Sequence, residues 1–156
     1  MEIHISDVLT FKDCRRKWNW SSHLRGNLEP KAPYPPFFVG RGIHHALQCS
    51  YDLKQDPVTA FKEWAKAELP TEPDAKILDS VELGIGMLRH YRSWAPSADE
   101  DLEWIASEVT PKKPIPFLVP GPELDITYSW RLDGVVKKRS DDTYWAFEHK
   151  TCRSIE

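Results

Sequence analysis

The sequence predicts a domain of class α/β (α+β), in which N-terminal helices pack on a small mixed β-sheet. Apolar residues recur at helical spacing over residues 1–98, whereas residues 99–156 change to the alternation that is typical of strands. Helices followed by a run of strands are typical of such a domain. The length of 156 residues suits one compact domain. We therefore expect a single domain that is mainly helical over 1–98 and a β-meander over 99–156.

Helical periodicity in the first part of the chain predicts a series of amphipathic helices. They cover about residues 6–18, 39–53, 57–69 and 74–94. We expect Ser6 to be the N-cap of the first helix and Pro57 to lie in the first turn of the third, where proline is tolerated. Four prolines make residues 30–36 an extended loop. Pro96 is expected to end the longest helix, because proline disrupts a helix interior.

The second part of the chain has the pattern of strands joined by short turns. The predicted strands cover about residues 104–110, 115–119, 125–138 and 143–151. The last two form a hairpin around an acidic turn at 141–142. Residues two apart in a strand point to the same face, so Glu148 and Lys150 should project together, and His149 should point the other way. The hairpin would bring Asp133 beside the face of Glu148 and Lys150.

Net charge and cysteine content limit the class of protein. A net charge of −3 and a pI of about 6.1 argue against a protein that coats nucleic acid by bulk charge, so the basic segments 15–17 and 137–139 carry more weight. The three cysteines lack a C-x-x-C spacing and indicate free thiols in a reducing compartment. Without a signal peptide or a long apolar run, we expect a cytoplasmic protein with no membrane partner.

Asp133, Glu148 and Lys150 form the pattern with the clearest chemistry. Two carboxylates and an ammonium group on one face of a sheet are costly unless a bound cation neutralises the acids. Mg²⁺ or Mn²⁺ would bind such oxygen ligands, polarise a phosphate and acidify a bound water. Lys150 could then hold the attacking water or stabilise the charge that develops on phosphate. The alternative is a surface hairpin that carries a solvated Glu–Lys pair.

Four short motifs follow one another along the chain. Ser6 precedes the stretch Phe11–Trp18, with the pattern Phe-x-x-Cys-x-x-Lys-aromatic, and Gly40–Leu47 has the pattern Gly-x-x-aliphatic-His-x-x-Leu. Asp133 is followed about fifteen residues later by Glu-x-Lys-Thr at 148–151. This series resembles the RecB-like branch of the PD-(D/E)XK nuclease superfamily, which includes CRISPR-adaptation nucleases and phage exonucleases. The resemblance implies a restriction-endonuclease-like core. Relatives continue with another strand and a helix, so we expect the chain to be C-terminally incomplete, with a minimal variant of the family as the alternative.

The resemblance implies a role for each matching residue of the metal site. Asp133 and Glu148 match the metal-binding carboxylates, and Lys150 matches the catalytic lysine. His44 matches the helix histidine that ligates the metal in this branch, and the carbonyl oxygen of His149 is expected to be a further ligand.

Further positions follow from the same resemblance. Glu108 lies in the preceding predicted strand, where relatives often carry a glutamate. His45, beside His44, leaves the choice of the ligating histidine open, although the spacing from Gly40 favours His44. Basic residues are expected to contact DNA phosphates, with a solvated helix end as the alternative for the first three. These residues are Arg15, Arg16, Lys17 and Arg41.

An iron–sulfur cluster is not expected. Some RecB-like nucleases hold a [4Fe–4S] cluster with one cysteine near the position of Cys14 and three near the C-terminus. This chain carries only Cys152 in that later region, so the ligand count fails. We expect Cys14 to be a packed helix residue.

The pattern as a whole predicts a Mg²⁺- or Mn²⁺-dependent DNA nuclease that acts in DNA processing, recombination or repair. The resemblance alone favours an exonuclease over an endonuclease. A non-catalytic nucleic-acid- or protein-binding module on the same fold is the main alternative, and an RNA-directed or restriction-type nuclease is another. The expected partners are DNA and either further copies of the chain or a larger DNA-processing complex.

Overall fold

The computed structural model of the chain describes residues 2–29, 34–114 and 126–151, and these contain five helices and six strands. In chain order they are β1 (Glu2–His4), α1 (Ile5–Asp13), α2 (Arg15–Ser21), α3 (Pro35–Leu53), α4 (Pro57–Glu68), α5 (Ala75–Ala98), β2 (Leu102–Val109), β3 (Lys112–Pro114), β4 (Thr127–Ser129), β5 (Leu132–Lys138) and β6 (Tyr144–Phe147). This composition confirms the α+β class. None of the helices in the described part of the chain combines the length and apolar character needed to span a membrane.

The chain divides into two compact units. Unit 1 consists of Met1–Lys31 and Thr110–Arg131, and unit 2 consists of Ala32–Val109 and Leu132–Glu156. Each unit combines helices with its own three-stranded sheet. The division therefore does not follow the predicted change from helices to strands near residue 98.

Unit 1 contains a mixed sheet of order β1-β4-β3, in which β4 runs parallel to β1 and antiparallel to β3.

The prediction of a single helix over 6–18 with Ser6 as N-cap was wrong. The helix begins at Ile5, because the carboxylate of Asp7 accepts a hydrogen bond from the backbone N–H of His4 at 3.3 Å. It ends before Cys14, whose extended backbone separates α1 from α2 and whose Sγ accepts from the N–H of Lys17. Cys14 is thus an exposed cap, not a packed helix residue.

The helices of unit 2 follow the apolar periodicity, but proline acts differently from what was predicted. Helix α3 begins at Pro35, inside the predicted loop, because a proline in the first turn has no N–H that the helix needs. Helix α5 continues through Pro96 to Ala98, so the predicted end at that proline was wrong. Pro96 lies in the last turn, which closes with the N–H of Asp99 donating to the carbonyl of Ala95 at 2.8 Å.

The core of unit 2 lies between α3, α4 and α5 and is centred on Phe61, whose side chain is fully buried. Two glycines allow the helices to approach this ring. A Cβ at Gly84 would lie 2.4 Å from the ring of Phe61, and a Cβ at Gly42 would lie 2.4 Å from the ring of Trp64. These helices therefore pack more closely than any larger residue at the two positions would permit.

The sheet of unit 2 is antiparallel, in the order β2-β5-β6. The predicted strand over 125–138 is two strands, because β4 pairs within unit 1 and β5 within unit 2. The predicted strand over 143–151 ends at Phe147. The predicted strand over 115–119 lies outside the described residues.

Candidate metal centre

Three metal-ligating side chains from three elements of unit 2 come together. His44 lies on α3, Glu108 on β2 and Asp133 on β5, and one potential ligand atom from each lies within 4.8 Å of the other two. One of these contacts joins His44 Nδ1 to Asp133 Oδ1 at 3.1 Å. All three residues are half-buried, so a small ion and its waters can reach them.

Packing of α3 on β2 positions His44. Residues seven apart lie on the same face of a helix, so His44 and Tyr51 project together. The ring of Tyr51 stacks on that of Trp104 in β2, with centroids 3.6 Å apart and planes at 5°. The neighbouring Ile43 is buried in the helical core. The stack and the core contact together direct the imidazole of His44 toward the sheet.

The register of β2 and β5 places Glu108 opposite Asp133. Ser107 pairs with Gly134 and Val109 with Leu132, so the two acidic residues between these pairs face each other. Side chains at directly opposed positions lie close together in an antiparallel pair. Glu108 also has a φ of 47°, a left-handed conformation inside a strand. Such a conformation costs about 1–3 kcal/mol and is concentrated at functional sites in proteins.

Both carboxylate oxygens of Asp133 are engaged. Oδ1 faces His44, and Oδ2 accepts a hydrogen bond from the backbone N–H of His149 at 2.6 Å. The side chain of Asp133 is only 14% exposed. The carboxylate is therefore held in one orientation, which a preorganised ligand requires.

The imidazole of His149 lies in an aromatic pocket beside the three candidate ligands. Its centroid lies 4.9 Å from that of Phe147, 6.1 Å from that of Trp104 and 6.3 Å from that of His44. Burial lowers the pKa of His149, Asp133 opposes this shift and the nearby His44 adds to it, so that the pKa is about 4. His149 is thus neutral near pH 7. The expectation that strand parity would turn it away from the site was wrong, because β6 ends at Phe147.

Glu148 and Lys150 form an exposed pair at the end of β6. The ammonium group of Lys150 donates a hydrogen bond to the carboxylate of Glu148, and the two side chains are 74% and 62% exposed. Both residues lie beyond the end of β6, so the strand parity that predicted a shared face does not apply to them. The group of three ligands, however, contains Glu108 where the resemblance implied Glu148. The sequence offered one signal for Glu108, its match to a glutamate that relatives often carry in the preceding strand, whereas the register that sets it opposite Asp133 comes from the structure.

The remaining predicted residues lie elsewhere. Arg41 is exposed and contacts Glu68 at 3.3 Å, with its guanidinium over the ring of Trp64. His45 contacts Cys49, not the acidic residues, at 3.6 Å. Arg15, Arg16 and Lys17 are exposed residues of α2 in unit 1. Cys152 lies outside the described residues.

The distances test whether a divalent ion fits. Octahedral ligands at about 2.1 Å from Mg²⁺ lie about 3.0 Å apart when adjacent and about 4.2 Å apart when opposite. The 3.1 Å between His44 and Asp133 matches an adjacent pair. The ligand atoms of the three residues lie within 4.8 Å of one another, which is at most about half an ångström more than the distance between opposite ligands of Mg²⁺. A change of rotamer at Glu108 can supply a shift of this size. One nitrogen and two oxygen ligands suit Mn²⁺ as well as Mg²⁺.

The chemistry of the candidate metal centre is the basis on which a function can be assigned to this chain. No protein-family model matches the chain, and no curated protein matches it in sequence.

Proposed function

We propose that this chain is a Mg²⁺- or Mn²⁺-dependent nuclease that hydrolyses phosphodiester bonds in DNA. The observation that carries the proposal is the convergence of His44, Glu108 and Asp133 from three elements onto one small volume. A cation bound there supplies Lewis-acid activation of a phosphate and a water of lowered pKa. The order of sequence motifs that resembles RecB-like PD-(D/E)XK nucleases supports the same class.

The protein's own groups have separable roles in this proposal. The N–H of His149 keeps the carboxylate of Asp133 turned toward His44. His149 stays neutral, so it adds no positive charge that would compete with a cation. The aromatic rings of Tyr51 and Trp104 fix α3 on the sheet and with it the position of His44.

Lys150 provides the mobile positive charge. It follows directly after His149, whose backbone is bonded to Asp133, so its backbone is close to the three ligands. Its long exposed side chain can leave Glu148 and reach a phosphate oxygen, where it would stabilise developing negative charge. We propose that Glu148 holds the ammonium group until DNA enters the site.

A non-catalytic DNA-binding module is the second candidate function. The exposure of the Glu148–Lys150 pair favours it, because a solvated pair is also what an inactive surface hairpin would show. For either function we propose a cytoplasmic protein, since Cys14 and Cys49 are free thiols. We also propose that the chain assembles either with further copies of itself or with a larger DNA-processing complex.

A cleavage assay separates the two functions. Linear and closed-circular DNA are incubated with Mn²⁺, Mg²⁺ or EDTA, and the products show whether ends are required. We expect cleavage with either metal and none with EDTA or with Asp133→Asn. Lys150→Ala should lower the rate at saturating DNA by about 100- to 1000-fold, the usual effect of removing one charge-stabilising group.

The matched control is Lys62→Ala, which removes an exposed lysine from α4 of the same unit. Its cleavage rate should equal that of the unaltered protein. Cleavage that survives EDTA would contradict the nuclease proposal, and a cleavage rate that Lys150→Ala leaves unchanged would contradict the role proposed for that lysine. DNA binding without cleavage in every metal would favour the binding module.

A further inference from the structure

A surface of alternating cations and aromatic rings covers the helical part of unit 1. The guanidinium of Arg16 lies 4.9 Å from the ring centroid of Trp20, and that of Arg25 lies 5.3 Å from the ring of Trp18. A third pair places the guanidinium of Arg15 at 5.2 Å from the ring of Phe11. We call these three pairs the cation–ring surface. It joins α1, α2 and the turn that follows them.

Local structure builds this surface in a defined way. Arg16 and Trp20 are four residues apart on α2 and so share one face. The turn after α2 folds back on the helix, because the N–H of Leu28 donates to the carbonyl of Trp20 at 2.8 Å and that of Gly26 donates to the carbonyl of Asn19 at 3.1 Å. A Cβ at Gly26 would lie 2.8 Å from the Trp20 carbonyl oxygen, so only glycine allows this approach. The folded turn brings Arg25 over its ring.

The surface is available to a ligand. Phe11 is 41% exposed and Trp20 is 49% exposed, and both are large apolar rings that water solvates poorly. No ion pair joins a cation of the surface to a carboxylate among the described residues of unit 1. These cations are Arg15, Arg16 and Arg25. The surface therefore offers uncompensated positive charge next to exposed rings.

We propose that the cation–ring surface binds single-stranded DNA, with bases stacked on the exposed rings and phosphates held by the guanidinium groups. A single strand presents one phosphate and one unpaired base per nucleotide, and the surface presents one cation and one ring per pair. Duplex DNA hides its base faces and would use only the cations. The inference deepens the proposed nuclease function by naming its substrate class, but the binding itself needs no metal.

An anionic membrane is a poorer fit to the same residues. Helices that lie on membranes separate an apolar face from a charged face. Here each guanidinium lies directly over a ring, so charge and apolar surface alternate. Such interleaving suits a ligand that itself alternates charge with flat apolar groups.

The test measures binding of the full chain to a labelled oligodeoxythymidine of about sixteen nucleotides, the upper end of typical site sizes. Fluorescence anisotropy in EDTA keeps cleavage out of the measurement. Trp20→Ala should weaken binding about 5- to 150-fold, the usual effect of losing one stacked base. Arg16→Ala should lower the slope of log K against log salt by about 0.7, one phosphate contact on a single strand. Arg16→Glu should weaken binding further.

Matched controls use the same residue types on α5, where Arg89 and the 55% exposed Trp94 lie on the surface of unit 2. Their replacement by alanine should leave binding unchanged, and circular dichroism should show all variants folded. Equal affinity for duplex DNA, competition by anionic vesicles, or unchanged binding by Trp20→Ala would overturn the inference.

Metal-site variants distinguish this inference from the proposed function. Asp133→Asn should abolish cleavage and keep binding in EDTA. If Trp20→Ala binds normally while the unaltered chain cleaves DNA, the inference fails and the nuclease proposal stands. If binding depends on Trp20 but no metal supports cleavage, the nuclease proposal fails and the single-strand surface stands.

Discussion

Replacing Glu108 and Glu148 separately by glutamine tests which carboxylate completes the candidate metal centre. Glutamine keeps the shape of each side chain and removes its charge. The structure groups Glu108 with His44 and Asp133 within 4.8 Å, whereas Glu148 is 62% exposed and paired with Lys150. We therefore expect Glu108→Gln to weaken Mn²⁺ binding strongly and Glu148→Gln to change it little.

The size of the effect can be bounded. Loss of an outer-shell partner of a metal ligand typically costs 10- to 100-fold in affinity, so loss of a direct ligand's charge should cost at least about that much. At a Mn²⁺ concentration of 100 times Kd, binding stabilises the folded chain by about 2.7 kcal/mol. After a loss of about 100-fold in affinity the same concentration stabilises it by only about 0.4 kcal/mol. For a chain of this length, the difference corresponds to a Tm about 5–9 °C lower.

Thermal unfolding with and without Mn²⁺ measures this difference, and titration calorimetry gives the affinity directly. Each variant is compared with its own metal-free form, so changes in intrinsic stability cancel. The Mn²⁺-dependent rise in Tm should be nearly lost in Glu108→Gln and kept in Glu148→Gln. The opposite result would refute the ligand set that the structure groups and support the one implied by the family resemblance.

Two further predictions concern the core and a helix cap. Gly84→Ala should destabilise unit 2 relative to Gly86→Ala by about 1–3 kcal/mol in thermal or denaturant unfolding, because its Cβ would meet Phe61 at 2.4 Å whereas a Cβ at Gly86 meets nothing within 4 Å; equal stabilities would contradict this packing. Asp56 accepts the N–H of Thr59 at 2.9 Å as the N-cap of α4, so Asp56→Ala should cost about 1 kcal/mol, while Asp56→Asn should keep the cap. A hydrogen bond from an arginine on α5 lowers the pKa of Asp56 in the folded chain, so its charge stabilises the fold above about pH 4, and this stabilisation is lost as the pH falls through the folded-state pKa. A Tm difference between Asp56→Asn and the unaltered chain that does not shrink as the pH is lowered below about 4 would contradict the assignment.

The sequence alone was sufficient for the class of fold and for most of its helices. Apolar spacing within a helix is a local property, so α4 was predicted to within a residue of its observed bounds. The predicted helix ends were wrong where a proline or a capping residue determines the end of the helix. Cys14 interrupts the first predicted helix, and Pro96 is accommodated in the last turn of α5. Both outcomes depend on which backbone groups find partners, and residue spacing does not encode this directly.

Strand pairing required the tertiary structure. The apolar alternation over 125–138 is continuous in sequence, yet β4 and β5 belong to different sheets. Neighbouring strands supply the hydrogen bonds that decide where a strand stops, and those neighbours are distant in sequence. Strand pairing likewise ends β6 at Phe147. His149 therefore lies outside the strand, and the alternation of faces that predicted its orientation does not apply to it.

The sequence by itself singled out His44 and Asp133 as candidate ligands, because the order of short motifs is written along the chain. Only the tertiary structure brought Glu108 to the same place, through the register that sets it opposite Asp133 and through the stacking of Tyr51 on Trp104. Identity and spacing of ligands are local information. Which carboxylates share one volume depends on long-range pairing, and a shift of one residue in that register would turn Glu108 to the other face of the sheet.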